Sequence, residues 1–581
     1  MGFNRSALRG TTVLPNAHGA AKVSGPRPSG RNAALRRLTA GGSCSSNTGV
    51  KGAAGTRLEI EMDQQVETSA TVTSAPETHP IASGSDYIES LRGRKLKVYL
   101  MGERVDEPVD HPLIRPSINA VAETYDLANR NPELASARSP FTGTRVNRFL
   151  HVAESAADLV MQNKMQRRLG QLTGTCFQRC VGMDALNTLH SVTFDLDAQH
   201  GTSYHSRFRN FLVAMQRANF VIGGAMTDVK GDRGKSPSEQ TDPDLFVHVT
   251  RRTPDGVFIT GAKAHQTGCI NSHWLVVMPT MRLGAADRDY AIVGAVPVDA
   301  DGITYVYGRQ SCDMRSAEDG DIDAGNARFS GQEAMIVFED VFIPNQRVFM
   351  DGETEFAATL VERFTCYHRR SYVCKTGVGD VLIGAAATIA DYNGVDRASH
   401  VRDKLVEMTH LNETIYGTGV AASHQGVAMK SGAFLPDEML ANVCKHHVTR
   451  LPYEIGRLAQ DLAGGLMVTM PSEREFRHET VGPLIEKYLK GRAGIATEDR
   501  MRILRLVENM TLGRNAVGYL TESMHGAGSP QAQRIQIARS MQMEFKKDLA
   551  KALAGIAPAA REEIAADLST FMARVFAPVQ R

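Results

Sequence analysis

His368-Arg-Arg-Ser-Tyr-Val-Cys374-Lys375 places an imidazole, a phenol, a thiol and an amine in one short stretch, and an apolar helical pattern follows it. A second thiol-bearing stretch, Cys176-Phe-Gln-Arg-Cys180, lies far upstream. Three cysteines and one histidine supply four ligands for a metal or an iron–sulfur cluster. Because these ligands are mostly thiolates, they suit a [4Fe–4S] cluster better than a harder metal ion. The rest of the chain can be interpreted as the frame that joins the two stretches.

Each stretch alone is a weak indication of a metal site. Structural zinc sites usually combine a Cys-x-x-Cys pair with a second pair of ligands, whereas Cys176 and Cys180 lie four residues apart. On a helix such residues share a face, and two buried helical cysteines would be the simpler interpretation. His368, beside two arginines, could equally lie on a solvated face. Only the combination of Cys176, Cys180, His368 and Cys374 predicts a ligand set.

Composition limits the classes of protein to consider. A chain of 581 residues is too long for one simple core, so we expect two or three domains. Its 42% hydrophobic and 22% charged residues are typical of a soluble globular protein. The net charge of +2 argues against nucleic-acid or membrane-surface binding, and no apolar run approaches the roughly 20 residues of a membrane helix. The eight scattered cysteines indicate a reducing compartment, hence a cytoplasmic protein.

The N-terminal segment differs from the remainder. Residues 1–57 contain no Asp or Glu and are rich in Arg, Ser, Gly and Ala. This composition is typical of an organelle transit peptide, which would direct the protein to the mitochondrial matrix. A disordered tail, or a start codon assigned too early, explains it equally well. In each case we expect residues 1–84 to form an extension, because such a composition cannot bury a core.

Residue patterns divide the remainder into three predicted domains of an α+β fold. Residues 85–220 are mostly helical after a short strand at 97–102. Residues 221–355 hold short β-rich segments separated by Gly, Asp and Pro, which predict a β domain built as a barrel or a sandwich. Residues 356–581 return to long helical patterns that predict a C-terminal helical bundle. Its predicted helices cover residues 381–392, 401–416, 437–462, 501–510 and 531–556.

Three polar loops are candidates for cofactor contact. Loop 264–274 holds the chain's one Trp and could hydrogen-bond a cofactor ring, or it could be a polar turn. Loop 223–234 could present backbone N–H groups to a phosphate or flavin, or it could be a flexible connection. Loop 522–530 is rich in small residues that let a backbone approach a ligand closely, although Gly and Pro also mark ordinary helix–helix turns. The candidate residues are Met226, Thr227, His265, Thr267, Asn271, His525, Gly526 and Ser529.

Together these motifs resemble the flavin-dependent 4-hydroxyphenylacetate 3-hydroxylase family. The likeness runs from about Asp86 to Ile556 and includes the motifs Ser90-Leu-Arg-Gly-Arg, Tyr99-Leu-Met-Gly-Glu-Arg-Val, Ala264-His-Gln-Thr-Gly and Asp461-Leu-Ala-Gly-Gly-Leu-Met-Val-Thr-Met-Pro-Ser. Family members that hydroxylate phenols lack the cysteine set. One branch has it, as Cys-x-Gln-x-Cys plus His…Cys-Lys. Here one residue fewer separates Tyr372 from Cys374 than in the pattern of that branch.

The resemblance implies an acyl-CoA-dehydrogenase-like fold with a middle β-barrel domain, bound FAD, a [4Fe–4S] cluster and a homotetramer. It also implies the reaction of the cysteine-bearing branch. That reaction is the radical dehydration of 4-hydroxybutyryl-CoA to crotonyl-CoA, with isomerisation of vinylacetyl-CoA to the same product. The main alternative is a two-component flavin monooxygenase that hydroxylates phenols of the 4-hydroxyphenylacetate type. A third possibility is a cluster-bearing structural or sensor protein.

The resemblance further implies roles for individual residues. His368 is the candidate base as well as a cluster ligand, and Glu522 is a second acid or base. Tyr372 and Lys375 would position the acyl-CoA substrate or its hydroxyl, and Glu333 would line the same pocket. Gln178 would contact substrate, and the loop residues named above would contact the flavin. We expect no nucleic-acid partner and no membrane.

Overall fold

The computed structural model describes residues 79–556, so the predicted extension at 1–84 lies almost wholly outside the described residues. The segment 84–218 is mostly helical, as predicted. Its first helix begins where the Ser83 hydroxyl accepts a hydrogen bond from the backbone N–H of Asp86. The elements are α1 (Gly84–Ser90), β1 (Val98–Leu100), β2 (Glu103–Val105), α2 (Arg115–Arg130), α3 (Pro132–Ala135), β3 (Ser136–Arg138), β4 (Arg145–Asn147), α4 (Ala156–Thr173), α5 (Cys180–His200) and α6 (Tyr204–Ala218).

The middle of the chain forms strands, as the short β-rich segments predict. They are β5 (Ile222–Ala225), β6 (His248–Thr253), β7 (Gly256–Thr267), β8 (Trp274–Val277), β9 (Ile292–Pro297), β10 (Ile303–Tyr307), β11 (Glu333–Pro344) and β12 (Val348–Asp351). One sheet has the order β2-β1-β10-β11-β7-β6 and the other β12-β9-β8-β5. A barrel requires its first and last strands to pair, whereas β2 and β6 are edges, so the predicted barrel is wrong. Ile259, Val293 and Ile336, from both sheets, share one hydrophobic core, which favours the sandwich alternative.

Strand β1 joins this β region although it precedes most of the N-terminal helices. It pairs in parallel with β10, with Val98 opposite Tyr305. The Tyr87 hydroxyl of α1 also donates to the carbonyl oxygen of Asn271, at 2.5 Å. Strand β1 is thus held in the six-stranded sheet by backbone hydrogen bonds, whereas α1 is tied to the β7–β8 connection by the Tyr87 side chain.

The described segment 355–556 is mostly helical, as predicted, but two predicted helices are each divided. The predicted helix 437–462 breaks at Thr449–Arg450, because Pro452 lies in the first turn of the following helix. The predicted helix 531–556 breaks at Gln542, whose φ is 48°. The elements are α7 (Glu355–Ser371), α8 (Cys374–Tyr392), α9 (Ser399–His424), β13 (Val427–Ala428), β14 (Phe434–Leu435), α10 (Glu438–Val448), α11 (Leu451–Ala463), α12 (Leu466–Thr469), α13 (Glu473–Arg477), α14 (Gly482–Tyr488), α15 (Thr497–Thr511), α16 (Arg514–Ala516), α17 (Glu522–His525), α18 (Pro530–Ser540) and α19 (Met543–Leu553).

Helices α7 and α8 form the centre of this region. The segment Glu355–Tyr392 contains a window long and apolar enough for a membrane helix, which differs from the expectation that no such run exists. However, 67% of that window is buried inside the fold. Core helices of this kind pass the same test of length and hydropathy. The break between the two helices, at Tyr372–Val373, brings the polar stretch 368–375 into the interior.

Candidate active site

One cavity gathers both stretches that the sequence singles out. It encloses about 340 Å³ of empty space, including its opening. The residues that line it come from the start of α5, the end of β7, the α7–α8 junction and α17. They are Cys176, Gln178, Cys180, Val181, Thr267, His368, Ser371, Tyr372, Cys374, Lys375 and Glu522. The predicted ligand set and five other predicted site residues therefore share one cavity.

Only one of the two upstream cysteines lies on a helix, so the simpler interpretation as two helical cysteines does not hold. Cys176 lies in the turn before α5, and Cys180 is the first residue of that helix. Between them Gln178 has φ 66°, which reverses the backbone. Its Nε2 donates to the Ser117 carbonyl oxygen at 2.9 Å, and its Oε1 accepts from Asn271 Nδ2 at 2.8 Å. The amide of Gln178 thus holds the turn that directs both thiols to the cavity, and Asn271 supports it from behind.

The α7–α8 junction places the third thiol. Cys374 opens α8, and it lines the cavity despite the shorter interval after His368. Interaction with the neighbouring Cys180 thiol lowers the pKa of Cys374, and the same interaction raises the pKa of Cys180. Helix α4 packs closely against this junction, because a Cβ on Gly170 would lie 2.6 Å from the Cys374 carbonyl oxygen. That position therefore requires glycine.

His368 is held by a carboxylate that the sequence analysis missed. Its Nδ1 lies 2.8 Å from Asp184 Oδ2, and Asp184 Oδ1 accepts from the Ser371 hydroxyl at 2.9 Å. Asp184 is fully buried. Metal-binding histidines commonly use one ring nitrogen for such a contact and leave the other for the metal. The sequence signal was available, since Asp184 lies one helical turn after Cys180 on α5.

Glu522 connects Tyr372 and Lys375. Its Oε1 accepts from the Tyr372 hydroxyl and its Oε2 from Lys375 Nζ, both at 2.7 Å. Lys375 also donates to the Gly518 carbonyl oxygen, at 2.8 Å, within a π-helical turn at Val517–Thr521. Burial opposes a charge on Glu522, but the ammonium groups of Lys375 and then Lys445 outweigh it and hold the pKa of Glu522 below its ordinary value. Burial and the charge of Glu522 keep the pKa of Tyr372 well above its ordinary value, so Tyr372 remains a donor.

Glu333 is a second carboxyl group, and its pKa is shifted in the opposite direction from that of Glu522. Its Oε1 accepts from the Thr267 hydroxyl at 2.6 Å, and its buried Oε2 has no hydrogen-bond partner among the residues described. Burial, followed by the negative charge of Glu522, raises the pKa of Glu333 to about 8. A pair of carboxyl groups whose environments separate their pKa values can supply one acid and one base.

Glu333→Gln is expected to change how stability depends on pH. The ordinary pKa of 4.5 is raised to about 8 in the fold. Between these values the folded protein keeps a proton that the unfolded chain has released, so wild-type stability falls as pH rises through that window. Glutamine cannot titrate. Relative to the wild type, the free energy of unfolding of the variant should therefore increase by on the order of a few kcal/mol between pH 5 and pH 8. Urea unfolding midpoints at each pH measure this difference.

The matched control for this experiment is Glu454→Gln on α11. Glu454 is paired with Arg457 at the surface, 2.7 Å away. Its replacement should leave the difference in unfolding free energy between variant and wild type nearly constant over the same pH range. Parallel stability curves for the wild type and the Glu333→Gln variant would contradict a raised pKa at Glu333.

The predicted flavin-contact residues lie in several places. Thr267 lines the cavity, and loop 223–234 is tied to β7 because the Met226 backbone N–H donates to Gln266 Oε1 at 2.9 Å. Thr227 likewise accepts from Ala264 N at 2.8 Å, through its carbonyl oxygen. Burial lowers the pKa of His265, on which the charges of Lys230, Glu522 and His525 also act.

The turn after α17 lies against the cavity residues. A Cβ on Gly526 would lie 1.9 Å from the Tyr372 hydroxyl oxygen, so this position requires glycine. His525 and Ser529 are exposed. Lys445 of α10, which the sequence analysis missed, is buried with its Nζ 3.7 Å from the centre of the Tyr372 ring.

The donor set can be tested against the predicted cofactors. Within residues 79–556 no three His, Cys, Asp or Glu side chains are gathered closely enough to hold a metal ion. The ligand set thus shares a cavity without being at coordination distances. Its chemistry nevertheless fits a cluster, because three thiols face the cavity with an imidazole whose Nδ1 is already held by a carboxylate. The unpartnered Glu333 Oε2 beside Thr267 fits a site that receives a further polar group.

Comparisons with known proteins extend along most of the chain. A 4-hydroxybutyryl-CoA dehydratase/vinylacetyl-CoA-Delta-isomerase from Clostridium aminobutyricum is 54% identical over 488 residues, which cover 82% of this chain and all of that protein. The solved structure of an oxygen-tolerant archaeal 4-hydroxybutyryl-CoA dehydratase from N. maritimus is 72% identical with a TM-score of 0.81, and covers 82% of this chain and 95% of that one. The oxygenase component of 4-hydroxyphenylacetate 3-monooxygenase, solved with FAD, shares the fold at 21% identity and a TM-score of 0.72, over 81% of this chain and 98% of that one.

Two family models account for nearly all of the described residues. The 4-hydroxyphenylacetate 3-hydroxylase N-terminal model matches residues 83–350, and the C-terminal model of the same family matches residues 357–555. These matches confirm the resemblance seen in the motifs. The fold is thus a mixed α and β fold with a helical C-terminal region, shared with the solved relatives. The chain belongs to the 4-hydroxyphenylacetate 3-hydroxylase family.

Proposed function

We propose that this protein is a 4-hydroxybutyryl-CoA dehydratase that also isomerises vinylacetyl-CoA to crotonyl-CoA. The observation that carries the proposal is the single cavity in which three thiols and His368 meet Glu522. Similarity over the whole length of a protein named for these two activities supports it. A monooxygenase relative from Geobacillus is only 24% identical, over 74% of this chain and 88% of that one. Hydroxylation of a phenol by reduced flavin also gives no reason for the thiol set.

The reaction requires proton carriers on both sides of the substrate. Dehydration removes one hydrogen each from C2 and C3 and the hydroxyl from C4. One hydrogen leaves with the hydroxyl as water, and the other returns to C4. The C2 proton is acidified by the thioester, whereas no carbonyl activates the C3 proton directly. The chain must therefore hold and return protons at more than one position.

We propose His368 as the base that takes a substrate proton at Nε2, which it could do only while that nitrogen is not bound to the proposed cluster. Its Nδ1 contact with Asp184 would fix the ring and stabilise the imidazolium. Tyr372 and Lys375, both held by Glu522, are donors available to the departing hydroxyl. Glu333, with a pKa of about 8, can hold a proton at neutral pH while Glu522 remains ionised. Gln178 contributes by holding the cysteine turn, because its amide is already engaged by Asn271.

We propose that Cys176, Cys180, His368 and Cys374 hold a [4Fe–4S] cluster. FAD would lie against loops 223–234, 264–268 and 525–529, where Met226, Thr227, His265, Thr267, His525, Gly526 and Ser529 are found. When bound, these groups would supply one-electron redox chemistry and Lewis acidity. The residues of this chain would orient the substrate, exclude water and move protons.

The arrangement of domains, the oligomeric state and the cellular location are also part of the proposal. Its basis is the order of helices, sheets and helices in the described chain. We propose an acyl-CoA-dehydrogenase-like arrangement of domains at 85–220, 221–355 and 356–581, with 1–84 as an extension. We further propose a homotetramer in the cytoplasm, or in the mitochondrial matrix if residues 1–57 act as a transit peptide.

The proposal is tested with protein purified without oxygen. Crotonyl-CoA formed from 4-hydroxybutyryl-CoA is followed by chromatography, and iron, sulfide and flavin are measured in the same sample. The expected result is turnover by a brown protein that contains FAD and about four iron atoms per chain. A colourless protein that hydroxylates a phenol with reduced flavin would support the monooxygenase, and a brown protein without flavin would support the sensor.

A further inference from the structure

We propose that Lys445 is a positioning residue, which fixes the Tyr372–Glu522 pair and supplies a positive charge to it from α10. This inference rests on the proposed function, because Glu522 is taken as the proton carrier. Lys445 lies outside every motif that pointed to the site. It reaches the pair through the packing of α10 against the α7–α8 junction and α17.

The contacts of Lys445 aim its ammonium group at this pair. The Nζ atom lies 3.7 Å from the centre of the Tyr372 ring, whereas Lys375 Nζ lies 5.7 Å from the same centre. Lys445 also donates to the carbonyl oxygen of Ser523, the residue next to Glu522. One side chain thus contacts the ring of the donor in the Tyr372–Glu522 hydrogen bond and the backbone of the residue that follows the acceptor. An ammonium group over the face of a tyrosine ring is attracted to it most strongly when both are removed from water.

The free-energy cost of burying the Lys445 ammonium group argues against a purely structural role. Its side chain is fully buried, and no ion pair to it occurs within the described chain. Lys263, another buried lysine, is instead paired with Asp228. A buried ammonium without a paired carboxylate is expensive, and an apolar side chain would fill the same space at lower free energy. We therefore infer that the charge at this position has a functional role.

The charges around Lys445 identify that use. The groups that face it are Glu522 from α17, Lys375 and Cys374 from α8, and Arg369 from α7. Burial lowers the pKa of Lys445 to about 7, and the charge of Glu522 opposes that change. In return Lys445 contributes, after Lys375, to holding the pKa of Glu522 below its ordinary value. Loss of the charge should leave Glu522 easier to protonate, and loss of the side chain should release the Tyr372 ring.

The test compares Lys445→Met, Lys445→Gln and Lys445→Arg with the wild type. The kcat and KM for dehydration are measured from pH 5.5 to pH 9, together with iron, flavin and thermal midpoint. In the Met and Gln variants we expect kcat to fall about 10- to 100-fold with KM nearly unchanged. The acid limb of the profile should move to higher pH by about one unit. The Arg variant should keep the wild-type limb, because it keeps the charge.

Lys404→Met is the matched control. Lys404 lies on α9 and pairs with Asp461 at 2.8 Å, away from the cavity, so this variant should match the wild type. A fall in kcat with an unmoved acid limb in both neutral variants would overturn the role of Lys445. If the Met variant does not fold, the role of Lys445 is tested by comparing the acid limb of the pH profile in the Gln and Arg variants. Absence of dehydration by the wild type itself would instead refute the proposed function.

Discussion

Glu522→Gln is expected to lower the rate of crotonyl-CoA formation by about 10²- to 10⁴-fold, with iron and flavin retained. The carboxylate accepts from the Tyr372 hydroxyl and from Lys375 Nζ through its two oxygens. An amide has one oxygen to accept with, and it cannot carry a proton between substrate and water. The measurements are crotonyl-CoA formation and the iron and flavin content of the same preparation.

The control for Glu522→Gln is the surface variant Glu454→Gln, which should keep full activity because Glu454 pairs only with Arg457 in a solvated pair. A Glu522→Gln protein that retains more than about a tenth of the wild-type rate would remove Glu522 from the proposed proton path. Loss of iron together with activity would assign it a supporting role in the cavity instead.

Cys374→Ala is expected to release iron and to abolish dehydration. Cys374 lies in the cavity with Cys176, Cys180 and His368. Without it the proposed cluster has only three ligands. FAD should remain, because its proposed contacts lie on β5, β7 and the turn at 525–529. Iron, sulfide and flavin analysis of the anaerobic protein, together with the activity assay, measures these three expectations.

Cys366→Ala provides the matched control on the same helical pair. Cys366 is also a buried thiol, on α7, but it does not line the cavity. Its loss should remove one small core side chain and leave the iron content unchanged. Full iron content in the Cys374→Ala protein would exclude this cysteine from the ligand set, and equal iron loss in both variants would indicate general destabilisation.

Local patterns in the sequence predicted most elements of the fold. Short alternating segments gave β6 to β11, since alternation of side chains across a sheet is visible along the chain. Sheet closure was not visible, because it depends on which strands meet at the edges. The break at Thr449–Arg450 was overlooked although Pro452 signalled it.

The candidate site was predictable where its chemistry is concentrated in short stretches. The stretches 176–180 and 368–375 carry residue types whose combination is informative without any geometry. Asp184 and Lys445 were missed for a different reason. Their roles depend on how α5 and α10 pack against the α7–α8 junction, and single charged residues in helical patterns usually lie on solvated faces. The turn at Gln178 depends on Ser117 and Asn271, which are distant in the sequence.

Helix α17 is the last of the cavity-lining elements to be synthesised. The cavity is therefore complete only after this helix has formed. At about 5–20 residues per second, a ribosome needs roughly 20–70 s to advance from Cys180 to Glu522. During that time the thiols of the nascent chain face the cytosol with the ordinary thiol pKa near 8.5, whereas burial in the finished fold raises the pKa of Cys176 to about 12. The Cys176 thiol is thus more open to oxidation in the unfinished polypeptide than in the folded protein, and expression under low oxygen should favour recovery of protein with this thiol intact.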